Sequence, residues 1–239
     1  MKKVLTLLCC ISVLALMGCS INSTGNTPAN SAISRQSQTA HCTIVDGADS
    51  GENLILAGET ASEVYTLSLA DVPVFLDGEP ADATVLEDGM PVQVQYDTIE
   101  ETFPAQLGNV TSLSAFPLGS QENPGGGYYD LCGLYLQVLE DLWEKDSGLN
   151  GGITYLSVDL SQAPGGLTEG EKAAIAWIFA TSHEAEALTL TYEQLEEQGY
   201  LSQVDMEEYD GPPVYQWEDG LLFQITPVEQ EEDTFYSLP

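Results

Sequence analysis

The apolar pattern of this chain first turns from strand period to helix period at Pro124-Gly-Gly-Gly127. Before that point Pro91-Val-Gln-Val-Gln-Tyr96 alternates apolar and polar residues strictly, as in a strand with one buried face. After it, Leu131, Leu134, Tyr135, Val138, Leu139 and Leu142 fall at helical spacings and give one apolar stripe. Strand period followed by helix period predicts an α+β chain of two folded regions, 41–118 and 127–239. Between them, 119–126 reads as a linker, because its proline and glycines sustain neither element.

In 41–118, short strand-like runs at His41–Val45, Asn53–Ala57, Val64–Leu69, Pro91–Tyr96 and Asn109–Phe116 are separated by turns such as Asp46-Gly47 and Asp77-Gly78. Such regular spacing predicts a small barrel or sandwich. Two stretches, Val85-Leu-Glu-Asp-Gly89-Met-Pro-Val-Gln-Val94 and Glu101-Thr-Phe103-Pro104-Ala-Gln106, resemble the small OB-like β-barrel domains of lipoproteins from Firmicutes-type bacteria. The resemblance covers about a third of the chain. It implies a small OB-like barrel and an extracytoplasmic location, and it brings no catalytic residue.

The region 127–239 reads as a separate α+β domain. It has a helix over Tyr128–Trp143, a strand over Ile153–Leu160, and a capping box, Thr168-Glu-Gly-Glu171, opening a helix that runs to Phe179. A short strand at Leu188–Thr191 and a helix over Tyr192–Gln198, stopped by Gly199, follow. Tyr215–Trp217 and Leu221–Ile225 read as a hairpin about Glu218-Asp-Gly220.

At the other end, Lys2 and Lys3 precede an apolar run of 14 residues, Val4–Met17. A membrane span needs roughly 20 such residues, so 1–18 reads as a signal peptide. Leu16-Met17-Gly18-Cys19 resembles a bacterial lipobox, with Met17 where a small residue is usual. The resemblance implies a diacylglyceryl group on the Cys19 thiol and cleavage before it. The segment 20–40 is rich in Ser, Thr, Asn and Gln and reads as a flexible tether, spanning roughly 25 Å as a coil.

Charge narrows the partners. The chain has 38 acidic and 5 basic residues, and losing Lys2 and Lys3 leaves only Arg35, Lys145 and Lys172, a net charge of −35. Such a surface repels phosphate backbones, which excludes nucleic acid. It also repels anionic headgroups, so membrane contact falls to the lipid on Cys19. With Cys9 and Cys10 in the signal, Cys42 and Cys132 remain as a possible disulfide or as two separate thiols.

Catalytic constellations are sparse. His183-Glu184 begins a zinc-protease motif, but position 187 is Ala and His41 is the one other histidine. A histidine at a helix C-terminus suits the helix dipole in any case. Asp46-Gly-Ala-Asp49-Ser-Gly51 lacks EF-hand spacing and reads as a solvated turn. Glu140, Asp141 and Glu144 sit on the polar face of their helix, and Tyr128, Tyr129, Tyr135, Trp143, Trp177 and Trp217 read as core, with the lining of a sugar or peptide groove as the alternative. No catalytic residue, cofactor or metal ligand is predicted. The expectation is a lipid-anchored, non-enzymatic binding or scaffolding module for an envelope or extracellular partner. The alternative is a cell-surface hydrolase using a carboxylate pair in the C-terminal region.

Overall fold

The computed structural model describes residues 37–117, 129–145, 148, 150–204, 211 and 213–227. The expected signal, Cys19, most of the tether, Tyr128 and the 119–126 linker lie outside the described residues.

The first part of the chain supplies β1 (Gln38–Asp46), β2 (Asn53–Ala57), β3 (Val64–Ser68), β4 (Val74–Leu76), β5 (Glu79–Ala81), β6 (Pro91–Tyr96), β7 (Thr98–Glu100), β8 (Ala105–Gly108) and β9 (Ser112–Ala115). They form one mixed sheet in the order β5-β4-β9-β6-β1-β2-β3-β8-β7. The alternation read in Pro91–Tyr96 is realised in β6, which buries Val92, Val94 and Tyr96. Asp77 and Gly78, with φ of 51° and 84°, turn β4 into β5, since a tight hairpin needs left-handed backbone at both central residues. β1 starts at Gln38, so Gln38, Thr39 and Ala40 pair with β6.

This sheet curls. Laid flat, the six strands from β9 across to β8 would span roughly 24 Å. Yet only residues 109–111 separate β8 from β9 along the chain, a reach of about 14 Å. Ile44, Leu54, Leu56, Leu67, Val94 and Leu113 fill the inside of the curl, each at most 2% exposed. The closed OB-like barrel expected for 41–118 is not what forms. The last strand is broken at Asn109, which has φ of 50°, and its two halves already use both edges. β8 pairs with β3 and β7, and β9 pairs with β4 and β6, so the ladder stays open with β5 and β7 at its ends.

The second part supplies α1 (Leu131–Lys145), β10 (Tyr155–Asp159), α2 (Glu169–Ser182), β11 (Glu186–Leu188), α3 (Tyr192–Glu197), β12 (Ser202–Val204), β13 (Val214–Gln216) and β14 (Gly220–Gln224). β11, β10 and β14 make a parallel sheet with β10 at its centre, and α2 is the crossover from β10 to β11. The expected hairpin near the C-terminus is not formed. β13 pairs with β12, whereas β14 joins β10 in parallel. Trp217 separates them: its ring lies over Gly220, where any Cβ would collide with it, and it stacks at 6.3 Å on Tyr155.

α2 holds the two sheets together. Its residues Ala173, Ala174, Ile175 and Ala176 are buried in succession, as a helix covered on several sides requires. They share a cluster with Val45, Ala57 and Val64 of the curled sheet, Leu156 and Val158 of β10, and Cys132, Tyr135 and Leu139 of α1. Strand alternation turns Ile44 to the inside of the curl and its neighbour Val45 to α2, and a register shift in the pairing with β2 falls beside them, between Ile44 and Asp46. Arg35–Pro239 accordingly forms one compact unit.

The start of α2 is fixed to the curled sheet. The predicted capping box is present: the Thr168 hydroxyl accepts from Glu171 N–H at 3.0 Å, and the Glu171 carboxylate accepts from Thr168 N–H at 2.8 Å. The same hydroxyl donates at 2.8 Å to the carbonyl of Gly58, between β2 and β3. Gly170 lies against that carbonyl, leaving no room for a Cβ. Replacing glycine by alanine in an exposed helix gains about 1 kcal/mol. Here overpacking reverses the sign, and Gly170→Ala is expected to destabilise the unit by about 1–3 kcal/mol in urea denaturation. A stabilised variant would show that the two layers have slack at this point.

Candidate functional site

β10 is the strand at which the parallel sheet changes direction. The chain leaves it through α2 to β11 on one side and returns through β14 on the other. In open α/β sheets such a switch leaves a crevice beyond the C-terminal ends of the strands. A cavity of about 200 Å³ opens there, with Asp159, Ser161, Glu169, Lys172, Thr189 and Ala61 among its lining residues. That is below the roughly 300–1,000 Å³ of sites for drug-sized ligands, which limits it to a small molecule.

Its polar groups are fixed in place. Asp159 ends β10 and is only 2% exposed. One carboxylate oxygen accepts from Ser161 N–H at 3.0 Å and the other from the Gln224 side-chain amide at 2.8 Å. A carboxylate offers about four acceptor positions, and these two bonds leave Asp159 with capacity to spare. Lys172 donates to Glu169 at 2.7 Å across one turn of α2, which neutralises that pair and leaves the Asp159 charge to dominate. The site is suited to a small ligand carrying N–H or O–H donors.

A second cavity, of about 350 Å³, lies over β1 and β6 and is lined by His41, Cys42, Gln93 and Phe116. It is larger, but the thiol in its lining is buried. Burial, then the Glu63 carboxylate, push the Cys42 thiol up to about 12, so almost no thiolate exists at neutral pH. Cys132 is also driven upward by burial, and both cysteines are free. They pack in different clusters, Cys42 inside the curl and Cys132 beside α2.

His183 caps the C-terminus of α2, as its position in the sequence suggests. Its ring stacks on Trp143 at 3.8 Å, and Nε2 lies 3.1 Å from the Glu140 carboxylate. Ser182 donates to the other Glu140 oxygen at 3.3 Å. Serine and histidine thus share a carboxylate without bonding to each other, and the geometry ties α1 to α2 rather than activating a hydroxyl. Asp141 instead accepts from Gln137 at 2.9 Å, so the neighbouring acids of α1 do not converge. Asp49 lies in a 3₁₀ turn, Ala48–Ser50, whose first N–H bonds to Asp88 at 3.1 Å. Among the aromatics, Tyr135 is buried, Trp143, Trp177 and Trp217 are half-buried, and Tyr129 is 78% exposed, so only part of that set is core.

No protein-family model matches the chain, and no curated protein or solved structure does so either. The resemblance to OB-like lipoprotein barrels therefore fails twice: the ladder is open, and no family supports it.

The thiol environment has a direct check. In the native 35–239 unit at pH 8, neither Cys42 nor Cys132 is expected to react with a disulfide reagent within minutes, and both are expected to react after unfolding. Fast labelling of the native protein would refute the burial of that thiol.

Proposed function

We propose that this protein is an extracytoplasmic binding module, held at the membrane by lipid on Cys19, whose cleft at the end of β10 takes a small polar ligand. The observation that carries the ligand site is Asp159, a carboxylate almost wholly removed from solvent, held by two hydrogen bonds and lining the cleft. Burying a carboxylate is costly unless it is hydrogen-bonded, and these bonds offset that cost and hold Asp159 in place before any ligand arrives. The anchor rests on the charged start, the 14-residue apolar run and Leu16-Met17-Gly18-Cys19. Acyl chains on Cys19 supply the membrane affinity that a strongly acidic surface withholds.

Two measurements test these parts separately. Expressed in a bacterial host, the full chain is expected in the membrane fraction with a lipid label, and Cys19→Ser is expected to lose both. Retention of unlabelled Cys19→Ser in the membrane would overturn the anchor.

For the cleft, the 35–239 unit is screened by thermal shift against hexoses, amino acids and polyamines. A ligand at one hundred times its Kd is expected to raise Tm by about 5–10 °C. Asp159→Asn is expected to weaken that ligand about ten-fold or more, the effect of losing a charge-assisted hydrogen bond. A panel without a hit, or binding indifferent to Asp159→Asn, would overturn the ligand site.

A further inference from the structure

α1 is apolar over a wider arc than the described residues cover. Cys132, Tyr135 and Leu139 face the cluster shared with α2. Leu134, Val138 and Leu142, four residues apart, form a second row and are 57%, 36% and 42% exposed. Residues at this spacing lie one above another on a single helix face. Isolated exposed leucines are ordinary, but an aligned row beside a filled core is the geometry by which one helix receives another. The row runs from Leu134 to Leu142, about 12 Å along the axis, which calls for a partner helix of about three turns.

The flank identifies the partner's chemistry. Asp130, Asp141 and Glu144 border the row on its solvent side and Lys145 stands at its end, all four exposed, so acid outnumbers base there three to one. At these positions the three acids line the edge against which a docked helix would place its own flanking residues. A second copy of this chain would bring the same three carboxylates and its own excess of acid, 38 acidic residues against 5 basic. An anionic lipid surface is disfavoured in the same way. A helix with lysine or arginine beside its apolar stripe is complementary on both counts.

We infer that the exposed face of α1 is a docking surface for a cationic amphipathic helix, with Leu134, Val138 and Leu142 as its apolar contacts and Asp130, Asp141 and Glu144 as its charged rim. This surface is independent of the Cys19 anchor and of the cleft beside Asp159.

The test uses the 35–239 unit, which is compact and whose two cores, among the described residues, begin at Ala40. The probe is a synthetic 14-residue peptide with leucines at i, i+3, i+4 and i+7 and lysines elsewhere. Its control has the same composition, scrambled so that no leucine stripe forms. The striped peptide is expected to bind at least ten-fold more tightly than the control in 150 mM salt. Leu134→Glu is expected to remove that difference, and joint Asp141→Lys and Glu144→Lys changes are expected to weaken binding at least ten-fold. Leu134→Gln, with circular dichroism of each variant, separates loss of docking from loss of fold.

Equal binding of the two peptides would reduce the effect to net charge and overturn the proposal. Sedimentation of the wild-type unit as a dimer that Leu134→Glu dissociates would overturn it in favour of a second copy. Stripe-dependent binding to phosphatidylcholine vesicles would overturn it in favour of a lipid surface.

Discussion

The contact between Gly170 at the first turn of α2 and the carbonyl of Gly58 sets how closely the two layers approach. Everything above α2 is positioned from it. The Thr168 hydroxyl serves two roles at once, capping its own helix and bonding the opposite layer, so the helix cannot shift along its axis without breaking one of them. Because β10 packs on the other side of α2, the cleft at Asp159 inherits its geometry from a pair of glycines that take no part in its chemistry. Ala61, from the turn between β2 and β3 of the curled sheet, completes the wall of that cleft. The cleft therefore exists only where both layers meet.

β1 is the counterpart of α2 in the curled sheet. Along it Ile44 faces one core and Val45 the other, as strand alternation requires, and the bulge in its pairing with β2 falls beside them. The bulge increases local twist, which favours the curl. The sheet is then bent around one cluster while its outer face remains apolar enough, through Val45, Ala57 and Val64, to receive a helix.

What could be read from the sequence was local. The alternation in Pro91–Tyr96, the Asp77-Gly78 turn, the Thr168/Glu171 capping box and the position of His183 depend on neighbours within a few residues, and the structure shows each of them. What could not be read was pairing at long range. Leu221–Ile225 looks like the return arm of a hairpin, but its partner β10 lies more than sixty residues earlier, and nothing in its composition marks that choice. The closed barrel failed for a related reason: strand spacing reports a curl, but not which edges are already occupied. On α1 the apolar stripe was visible, yet periodicity cannot tell a covered half from an uncovered one. Asp159 was missed because an acid ending an apolar strand is common, and only burial with two oriented donors singles it out.

Cys42 and Cys132 are 90 positions apart in the chain and buried in separate clusters, one within the curl and one outside it. An unfolded chain imposes no such partition, and its two thiols are free to meet an oxidant and each other. Burial in separate clusters withholds each thiol from an oxidant once the chain has folded, so folding itself guards the reduced state.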